Sequence, residues 1–278
     1  MPHTAMLFPG QGSQTPDMRD TVERERPDLL EQVVAVLGKD PFERVEAGTR
    51  YAQPAIFCAS LAGWAALGRP EAEFMAGHSL GELAALVAAG ALSERDGLSL
   101  VALRGRLMQE SGERAGDGGM VALLGSGAAD QAPALAAAHG LSVANDNSPQ
   151  QVVLSGARSA LAQVADAARE HGLRAMELPV TGAFHSPMMA SAVPEFEAAL
   201  AGVEIEPARV TVLSAVTAAP FDDVRRRLAE ALTRPVRWRE TMLAMHGLGA
   251  DRFVEVGPGR VLTGLAKRTL RDVELVHA

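Results

Sequence analysis

The sequence is poor in cysteine and in positive charge, and it lacks long apolar runs. Its 278 residues include one cysteine, so no internal disulfide can form, which is typical of a reducing compartment. The formal net charge of −8 argues against a nucleic-acid backbone as the main partner. No apolar run approaches the roughly 18 residues of a membrane span, and the first five residues, MPHTA, lack a signal-peptide pattern. We therefore expect a cytoplasmic protein with no membrane partner.

What is present is enough apolar sequence for a large core. Hydrophobic residues make up 47% of the chain and charged residues 22%, which is typical of a globular protein. A length of 278 residues suggests two domains, or one large domain that carries an insertion.

Short apolar stretches alternate with helical patterns outside residues 116–181. The pattern predicts strands at 4–8, 74–76, 210–213 and 252–256. It predicts helices at 22–37, 54–67, 81–90, 94–110, 188–200, 221–232, 237–246 and 260–270, with Pro54 at the first position of the second one. This alternation indicates a mostly parallel sheet covered by helices, in which the turns after the strands meet at one edge.

Residues 116–181 have a different order of elements. Strands are predicted at 120–124, 141–144, 151–154 and 174–178, helices at 130–139 and 158–171, and a turn at 145–149. The order βαββαβ is that of a ferredoxin-like unit. We therefore predict a large α/β subdomain of residues 1–115 and 182–278 that carries a small inserted subdomain of residues 116–181.

The segment GHSLG at 77–81 lies between a predicted strand and an Ala/Leu-rich helix. Strand, Gly-X-Ser-X-Gly and helix form the context of a nucleophile elbow, in which Ser79 stands on a sharp turn with its hydroxyl exposed. The N–H of Leu80, at the start of the helix, would face an oxyanion formed there. The alternative is that Ser79 only caps the helix, but the strand before it and the helix after it favour the nucleophile.

A second glycine-rich turn, GQG at 10–12, follows the first predicted strand. A dinucleotide-binding fingerprint fails here, because Thr15 stands where the third glycine would fall. The main-chain N–H of Gln11 could complete an oxyanion hole with that of Leu80. An ordinary strand-to-helix turn explains this segment equally well.

The candidate base for Ser79 is found by elimination among seven histidines. His185 alone lies in a loop where the chain returns from residues 116–181 to the main sheet, so we favour it as the general base over a plain loop histidine. The others lie near a terminus, before a helix-ending glycine, or next to the nucleophile: His3, His78, His139, His171, His246 and His277.

Arg104 stands on an apolar face of its predicted helix, with Leu100, Leu107 and Met108 three or four residues away. It has no carboxylate partner on that helix, and an unpaired buried guanidinium costs several kcal/mol. The partner is either an acid elsewhere in the fold or the carboxylate of a ligand, and the pattern alone does not decide between them.

Six motifs, in this order, resemble the malonyl-CoA:acyl carrier protein transacylase family, which includes polyketide synthase acyltransferases and the transacylase subunit of malonate decarboxylase. They span nearly the whole chain: FPGQGSQ (8–14), GHSLGE (77–82), LRGRLM (103–108), AFHS (183–186), PVRW (235–238) and EVGPG (255–259). The resemblance implies an α/β-hydrolase-like core with a mostly parallel sheet and an inserted ferredoxin-like small subdomain.

The resemblance also implies roles for individual residues. Ser79 would be the nucleophile, His185 the base, and the N–H groups of Gln11 and Leu80 the oxyanion hole. Arg104 would bind the free carboxylate of the substrate. The resemblance therefore favours a ligand carboxylate over an acid of the protein as the partner of Arg104.

Further residues are implied around the substrate. Phe184 would leave little room for an α-methyl group, and Asn147, with Asn145, would lie near the pocket. Three positions depart from the family: Gly182 replaces a histidine, Ala215 an asparagine, and Ala231 a glutamine. The Ala231 carbonyl can still orient the histidine, because every residue carries one.

The implied activity is transfer of a malonyl group from malonyl-CoA, through a seryl ester, to the phosphopantetheine thiol of an acyl carrier protein. No cofactor of the enzyme's own and no metal is implied, and we expect a monomer. The alternatives are a malonyl-CoA or acyl-carrier-protein thioesterase or hydrolase, a malonate decarboxylase subunit, and a non-catalytic carrier-docking subunit. The residues do not distinguish fatty-acid from polyketide synthesis.

Overall fold

The computed structural model describes residues 3–277. It contains ten strands: β1 (Thr4–Phe8), β2 (Phe74–Gly77), β3 (Gly118–Leu124), β4 (Ser142–Ser148), β5 (Gln151–Ala157), β6 (Arg174–Glu177), β7 (Thr211–Ser214), β8 (Ala219–Pro220), β9 (Arg252–Glu255) and β10 (Glu274–His277).

Eleven α-helices and two 3₁₀ segments connect these strands. The helices are α1 (Met18–Glu25), α2 (Pro27–Leu37), α3 (Thr49–Ala66), α4 (Gly81–Ala88), α5 (Glu94–Ala115), α6 (Ala128–Ala138), α7 (Arg158–Glu170), α8 (Val193–Ala201), α9 (Val224–Glu230), α10 (Trp238–Gly247) and α11 (Val261–Thr269). The 3₁₀ segments are Phe42–Ala47 and Pro187–Ala192. Within residues 3–277, no helix has both the length and the apolar character needed to cross a membrane.

The larger sheet is mixed but mostly parallel, as predicted. Its six strands lie in the order β10-β9-β1-β2-β7-β8, and β8 alone runs antiparallel to its neighbour. In the parallel register Phe8 lies beside Gly77, and Leu7 beside Glu255. The carboxyl ends of β1, β2 and β9 therefore meet at one edge, where the turns that follow them lie.

Helices cover both faces of this sheet. Ala5 and Leu7 of β1 belong to the core on one face, with Trp238 of α10, whereas Met6 and Phe8 belong to the core on the other face. Successive side chains of a strand point to opposite faces, so a central parallel strand that is buried on both sides is apolar throughout. This explains the unbroken apolar run of β1.

The smaller sheet is antiparallel, with the strand order β4-β5-β3-β6. One of its faces packs on α6 and α7 through Leu123, Leu135 and Val164. Its other face contributes Met120 and Val153 to the core of the larger sheet.

Residues 144–146 tie the smaller sheet to the segment before α10. The Val236 N–H donates to the Ala144 carbonyl (2.8 Å), and the Asp146 N–H donates to the Val236 carbonyl (2.9 Å). The Arg239 guanidinium also pairs with the Asp146 carboxylate, with a 2.7 Å contact from Nη2. The smaller sheet is thus joined to the segment before α10 by backbone hydrogen bonds, and to the core of the larger sheet by packing.

The helix predicted at 22–37 is wrong as a single element. It is two helices that break at Arg26, whose backbone is extended (φ −147°, ψ 62°), and Pro27 opens the second. Proline disfavours the helical conformation of the residue before it and suits a first helical position, so the break follows from Pro27.

The predicted start of the next helix is also wrong. It begins at Thr49 and contains Pro54, which therefore does not occupy the first position. A proline inside a helix gives up one backbone hydrogen bond, but nearly every residue from 52 to 62 of α3 is buried. Packing of this helix outweighs the lost bond.

The turn predicted at 145–149 is wrong for most of its length, because residues 145–148 lie in β4, where the pairing with β5 shifts register twice. Asn, Asp and Ser favour turns through local hydrogen bonds. Here tertiary partners hold them instead, including Arg239 for Asp146.

The edge strand β10 was not predicted; it is short and half-buried.

Gly81→Ala is expected to destabilise the protein, because a Cβ at this position would lie 2.2 Å from the Phe8 carbonyl oxygen. We expect a loss of about 1–3 kcal/mol in the free energy of unfolding, the usual cost of overpacking. Urea unfolding of the variant measures it.

Gly264→Ala is the matched control, since nothing lies within 4 Å of a Cβ there, inside α11. It should raise stability by about 0.5–1 kcal/mol. Equal stabilities of the two variants would contradict the close approach of α4 to β1.

Candidate active site

Ser79 stands on the turn between β2 and α4. Its backbone is left-handed (φ 55°), which is uncommon for a residue other than glycine and is typical of strained functional positions. The glycines on either side are required by space: a Cβ at Gly77 would lie 1.9 Å from the carbonyl carbon of Gly81. The turn is therefore as sharp as the sequence predicts.

His185 lies against this serine. Its Nδ1 is 2.7 Å from the Ala231 carbonyl oxygen, which can only accept, so Nδ1 carries the proton. Nε2 is then an acceptor, and the Ser79 hydroxyl donates to it across 2.9 Å. The structure thus brings together the predicted nucleophile, the predicted base and the predicted orienting carbonyl.

The electrostatic surroundings keep His185 neutral. Burial, and next the positive charge of Arg104, lower the pKa of His185 to about 3, while the hydrogen bond to Ala231 acts in the opposite direction. At neutral pH the imidazole is therefore free to accept the serine proton.

Arg104 on α5 is buried (3% exposed) beside the same serine. Its Nη1 donates to Gln53 Oε1 (2.8 Å), and its Nη2 donates to Ser79 Oγ (3.1 Å). Burial lowers the pKa of Arg104 to about 10, so the guanidinium stays charged at neutral pH. Within residues 3–277 it forms no ion pair, although the charge of Glu82 acts on it from a distance.

Glu82, in the first turn of α4, is also buried (1% exposed). Its Oε1 accepts a hydrogen bond from the Ala215 N–H (2.8 Å) at the end of β7. Burial raises the pKa of Glu82 to about 7, opposed by this bond and by the charge of Arg104. The position where the family commonly has asparagine, Ala215, thus contributes its main chain.

The main-chain N–H groups of Gln11 and Leu80 are available at this site. Both residues line the cavity next to Ser79. In the described part of the chain neither N–H donates a hydrogen bond, whereas the following N–H groups, of Gly12 and Gly81, are both used. Two free N–H groups beside a nucleophile suit an oxyanion.

The cavity over Ser79 has a volume of about 220 Å³. Apolar and polar side chains share its wall, including those of Gln53, Met108, Met120, Asn145, Leu178, Val180 and Phe184. No group of three or more histidine, cysteine or acidic side chains that could hold a metal ion occurs in residues 3–277.

The two predicted asparagines take different places. Asn145 lines the cavity, whereas the Asn147 amide oxygen lies 2.8 Å from His78 Nε2 and its nitrogen donates to Gln151 (3.2 Å). The His78 ring also packs edge-on against Trp238 at 5.5 Å. The structure therefore joins Asn147 to the residue before the nucleophile, and its contact with a substrate stays a prediction.

The glycine at 182 has a steric reason. A Cβ there would lie 2.8 Å from the Phe184 ring and 3.2 Å from the Gly112 Cα. A larger side chain at this position would require the Phe184 ring or the Gly112 backbone to shift, so Gly182 and Phe184 fit each other.

The sequence pattern did not predict two residues of this site, Thr49 and Gln53. Gln53 accepts from Arg104, and its Nε2 donates to Thr49 Oγ1 (3.0 Å). They lie four residues apart, hence on one face of a helix, and a polar pair at this spacing in an apolar helix was the available signal. Misplacing the start of α3 at Pro54 left both outside the helix.

A serine and a neutral histidine in hydrogen-bond contact, next to two free N–H groups, define an enzyme that forms a seryl ester with acyl groups. The family model of the acyl transferase domain matches residues 6–277. The chain therefore belongs to the acyl transferase domain family.

Named relatives cover the chain almost completely. It is 36% identical to the malonyl CoA-acyl carrier protein transacylase of Haemophilus influenzae, over 98% of this chain and 94% of that protein. It is 39% identical to the polyketide biosynthesis protein ThaF of Burkholderia thailandensis over 96% of this chain, which spans only 24% of ThaF. The solved malonyl CoA-acyl carrier protein transacylase of Coxiella burnetii matches with a TM-score of 0.90 and 35% identity, over 100% of this chain and 94% of that one.

Glu82→Gln is expected to remove a pH dependence of stability. The pKa of Glu82 is about 7 when folded, against 4.5 for a free carboxyl, so between these values the folded chain holds a proton that the unfolded chain has released. The free energy of unfolding therefore falls as pH rises through this window. Glutamine has no such proton, and its oxygen can still accept from Ala215.

The stability of the variant relative to the natural protein should rise by about 2 kcal/mol between about pH 5.5 and 8.5. Urea unfolding of both proteins at several pH values measures this difference, in which contributions of other groups cancel. A difference that does not change with pH would contradict the raised pKa of Glu82.

Proposed function

We propose that this protein transfers a malonyl group from malonyl-CoA to the phosphopantetheine thiol of an acyl carrier protein through an ester on Ser79. One observation carries the choice of acyl group. The Arg104 guanidinium is buried and charged, touches Ser79 Oγ, and has no carboxylate paired with it in residues 3–277. A malonyl group carries a carboxylate that would supply the missing charge.

The first half-reaction forms the seryl ester. Ser79 Oγ attacks the thioester carbonyl while its proton passes to His185 Nε2. The carbonyl oxygen becomes an anion that the N–H groups of Gln11 and Leu80 would bind. When this intermediate collapses, the C–S bond breaks and the CoA sulfur leaves with the proton from His185.

The second half-reaction runs the same steps in reverse. The thiol of the carrier's phosphopantetheine gives its proton to His185 and attacks the ester carbonyl. The C–O bond to Ser79 then breaks, and the serine oxygen takes the proton back. Because the proton returns to its origin and no electrons are exchanged, the reaction needs no cofactor of the enzyme's own.

Acyl selectivity would come from charge and from shape. A bound carboxylate would take over the Arg104 N–H that now reaches Ser79, and a guanidinium can bind it with two parallel hydrogen bonds. Phe184 on the cavity wall would crowd an α-methyl group. Such steric selection is typically worth about 1–3 kcal/mol, so it sets a preference for malonyl over substituted malonyl groups.

The finer description of the fold is part of this proposal. We infer that residues 1–115 and 182–278 form an α/β-hydrolase-like core, supported by the elbow between β2 and α4. We infer that residues 116–181 are a ferredoxin-like insertion, supported by the order β4-β5-β3-β6 with α6 and α7 on one face. A monomeric state and a cytoplasmic location remain predictions from the sequence.

The alternatives are less favoured. A thioesterase would use the same Ser–His pair with water as the acceptor, but a relative and a solved structure that this chain covers almost completely carry transacylase names. A non-catalytic subunit would not need Ser79, His185 and Arg104 in contact distance of one another. Relatives named only as malonyl CoA-acyl carrier protein transacylases and relatives named for polyketide biosynthesis both match this chain, so the proposal names the reaction and leaves the pathway open.

Intact-mass spectrometry after mixing with malonyl-CoA or acetyl-CoA tests the proposal. The natural protein should gain one malonyl group, and Ser79→Ala should gain none, because the ester cannot form. In Arg104→Ala the rate of malonylation should fall at least about 100-fold, since a charged buried partner is lost, and the preference over acetyl should disappear.

Arg104 also contacts Ser79, so its replacement could disturb the serine itself. Such a disturbance would slow malonylation and acetylation alike, and the comparison of the two acyl groups within one variant is therefore the control. Absence of an adduct and of CoA release in the natural protein would reject the transferase and leave a binding role. CoA release without transfer to any offered carrier protein would indicate the hydrolase.

A further inference from the structure

A continuous line of side-chain hydrogen bonds joins Arg104 to the turn that carries Gln11. Arg104 Nη1 donates to Gln53 Oε1 (2.8 Å), and Gln53 Nε2 donates to Thr49 Oγ1 (3.0 Å). The Thr49 hydroxyl then donates to the Gln11 side-chain oxygen across 2.6 Å. We call these four residues the Arg104–Gln11 chain.

The guanidinium at one end of this chain determines the donor and the acceptor of every hydrogen bond in it. A guanidinium only donates, so it requires the oxygen of the Gln53 amide, and the nitrogen of that amide must then face Thr49. The hydroxyl of Thr49 has a single proton, which is committed to Gln11. Hydrogen bonds aligned in one direction polarise one another, so a change at Arg104 alters the strength of the other hydrogen bonds in the chain.

The middle of the chain is buried and its far end is exposed. Thr49 (3% exposed) and Gln53 (2% exposed) are buried on α3, and Gln53 also reaches the Met108 sulfur at 3.4 Å. Gln11 is exposed and stands between two glycines, of which Gly12 is left-handed (φ 103°). Among residues 3–277 the bond from Thr49 is the one hydrogen bond that the Gln11 side chain forms.

We propose that Thr49 is a positioning residue that couples carboxylate binding at Arg104 to the placement of the Gln11 N–H in the oxyanion hole. This inference rests on the proposed malonyl transfer. A carboxylate that binds Arg104 fixes the guanidinium and, through Gln53 and Thr49, the turn that stabilises the oxyanion. An acetyl group leaves Arg104 without a carboxylate partner, so the chain gives the turn only the support that it already has without a ligand. Malonyl selectivity is therefore expressed in the rate of ester formation as well as in binding.

Thr49 suits a test because Gln53 separates it from Arg104, so its replacement leaves every direct partner of the guanidinium in place. Thr49→Val keeps the shape and removes the hydroxyl, whereas Thr49→Ser keeps the hydroxyl and removes a methyl group. Gln11→Met cuts the chain at its exposed end and retains the main-chain N–H. Thr269→Val, on α11, removes a hydroxyl that bonds the Leu265 carbonyl (2.9 Å) away from the site and is the matched control.

The measurement is the single-turnover rate of ester formation at saturating malonyl-CoA and at saturating acetyl-CoA, with KM determined separately. Thr49→Val and Gln11→Met should each slow malonylation about tenfold, the effect of one hydrogen bond, and slow acetylation by a clearly smaller factor. The KM for malonyl-CoA should stay within about twofold. Thr49→Ser and Thr269→Val should match the natural protein. In an Arg104→Ala background, Thr49→Val should have little further effect, because the chain is already cut.

Three results would overturn the proposal. Malonylation by Thr49→Val and Gln11→Met at the natural rate would show that the chain does not act on the reaction. Equal slowing of malonylation and acetylation would mean that Thr49 only supports the turn. A Thr49→Ser variant as slow as Thr49→Val would assign the effect to packing. A natural protein that forms no malonyl ester would instead refute the transferase itself, and this inference with it.

Discussion

A buried positive charge without a paired carboxylate is the constraint on which this site depends. Removing a guanidinium from water costs several kcal/mol unless a counter-charge compensates it. In the described part of the chain, Arg104 has an amide and a hydroxyl as its direct partners, and the buried Glu82 acts on it only from a distance. We propose that this charge is held for the carboxylate of a ligand bound beside Ser79. Burial, and next this same charge, lower the pKa of His185, which keeps the imidazole neutral.

The scaffold holds this charge beside the reacting groups by joining separate parts of the chain. The parallel register of β1 with β2 brings the Gln11 turn to the Ser79 turn. Ser79 and His185 both have left-handed backbones, and local strain of this kind persists only where the surrounding structure fixes it. Here the fixing contacts are the Ala231 carbonyl for the histidine and close glycine packing for the serine.

The sequence alone predicts much of this arrangement, because most of its signals are local. The strand–turn–helix around Ser79 and the apolar alternation of the large sheet depend on residues close in the chain, and the mostly parallel sheet was predicted correctly. Thr49, Gln53 and the place of Asn147 were not predicted. Their partners lie 38 to 69 residues away in the chain, and local propensity at Pro54 and at residues 145–149 pointed to other elements. The choice of a ligand carboxylate for Arg104 came from the family resemblance, since the helix pattern left it open.

The most direct test of the central claim changes the substrate and leaves the protein intact. The rate of ester formation on Ser79 would be compared for malonyl-CoA and for its methyl ester, in which the free carboxylate is neutral. If Arg104 binds the negatively charged carboxylate, the methyl ester should react at least about 100-fold more slowly, because the charge of the buried guanidinium stays uncompensated. Equal rates for the two thioesters would contradict the account, since the site would then accept the acyl group without using its carboxylate.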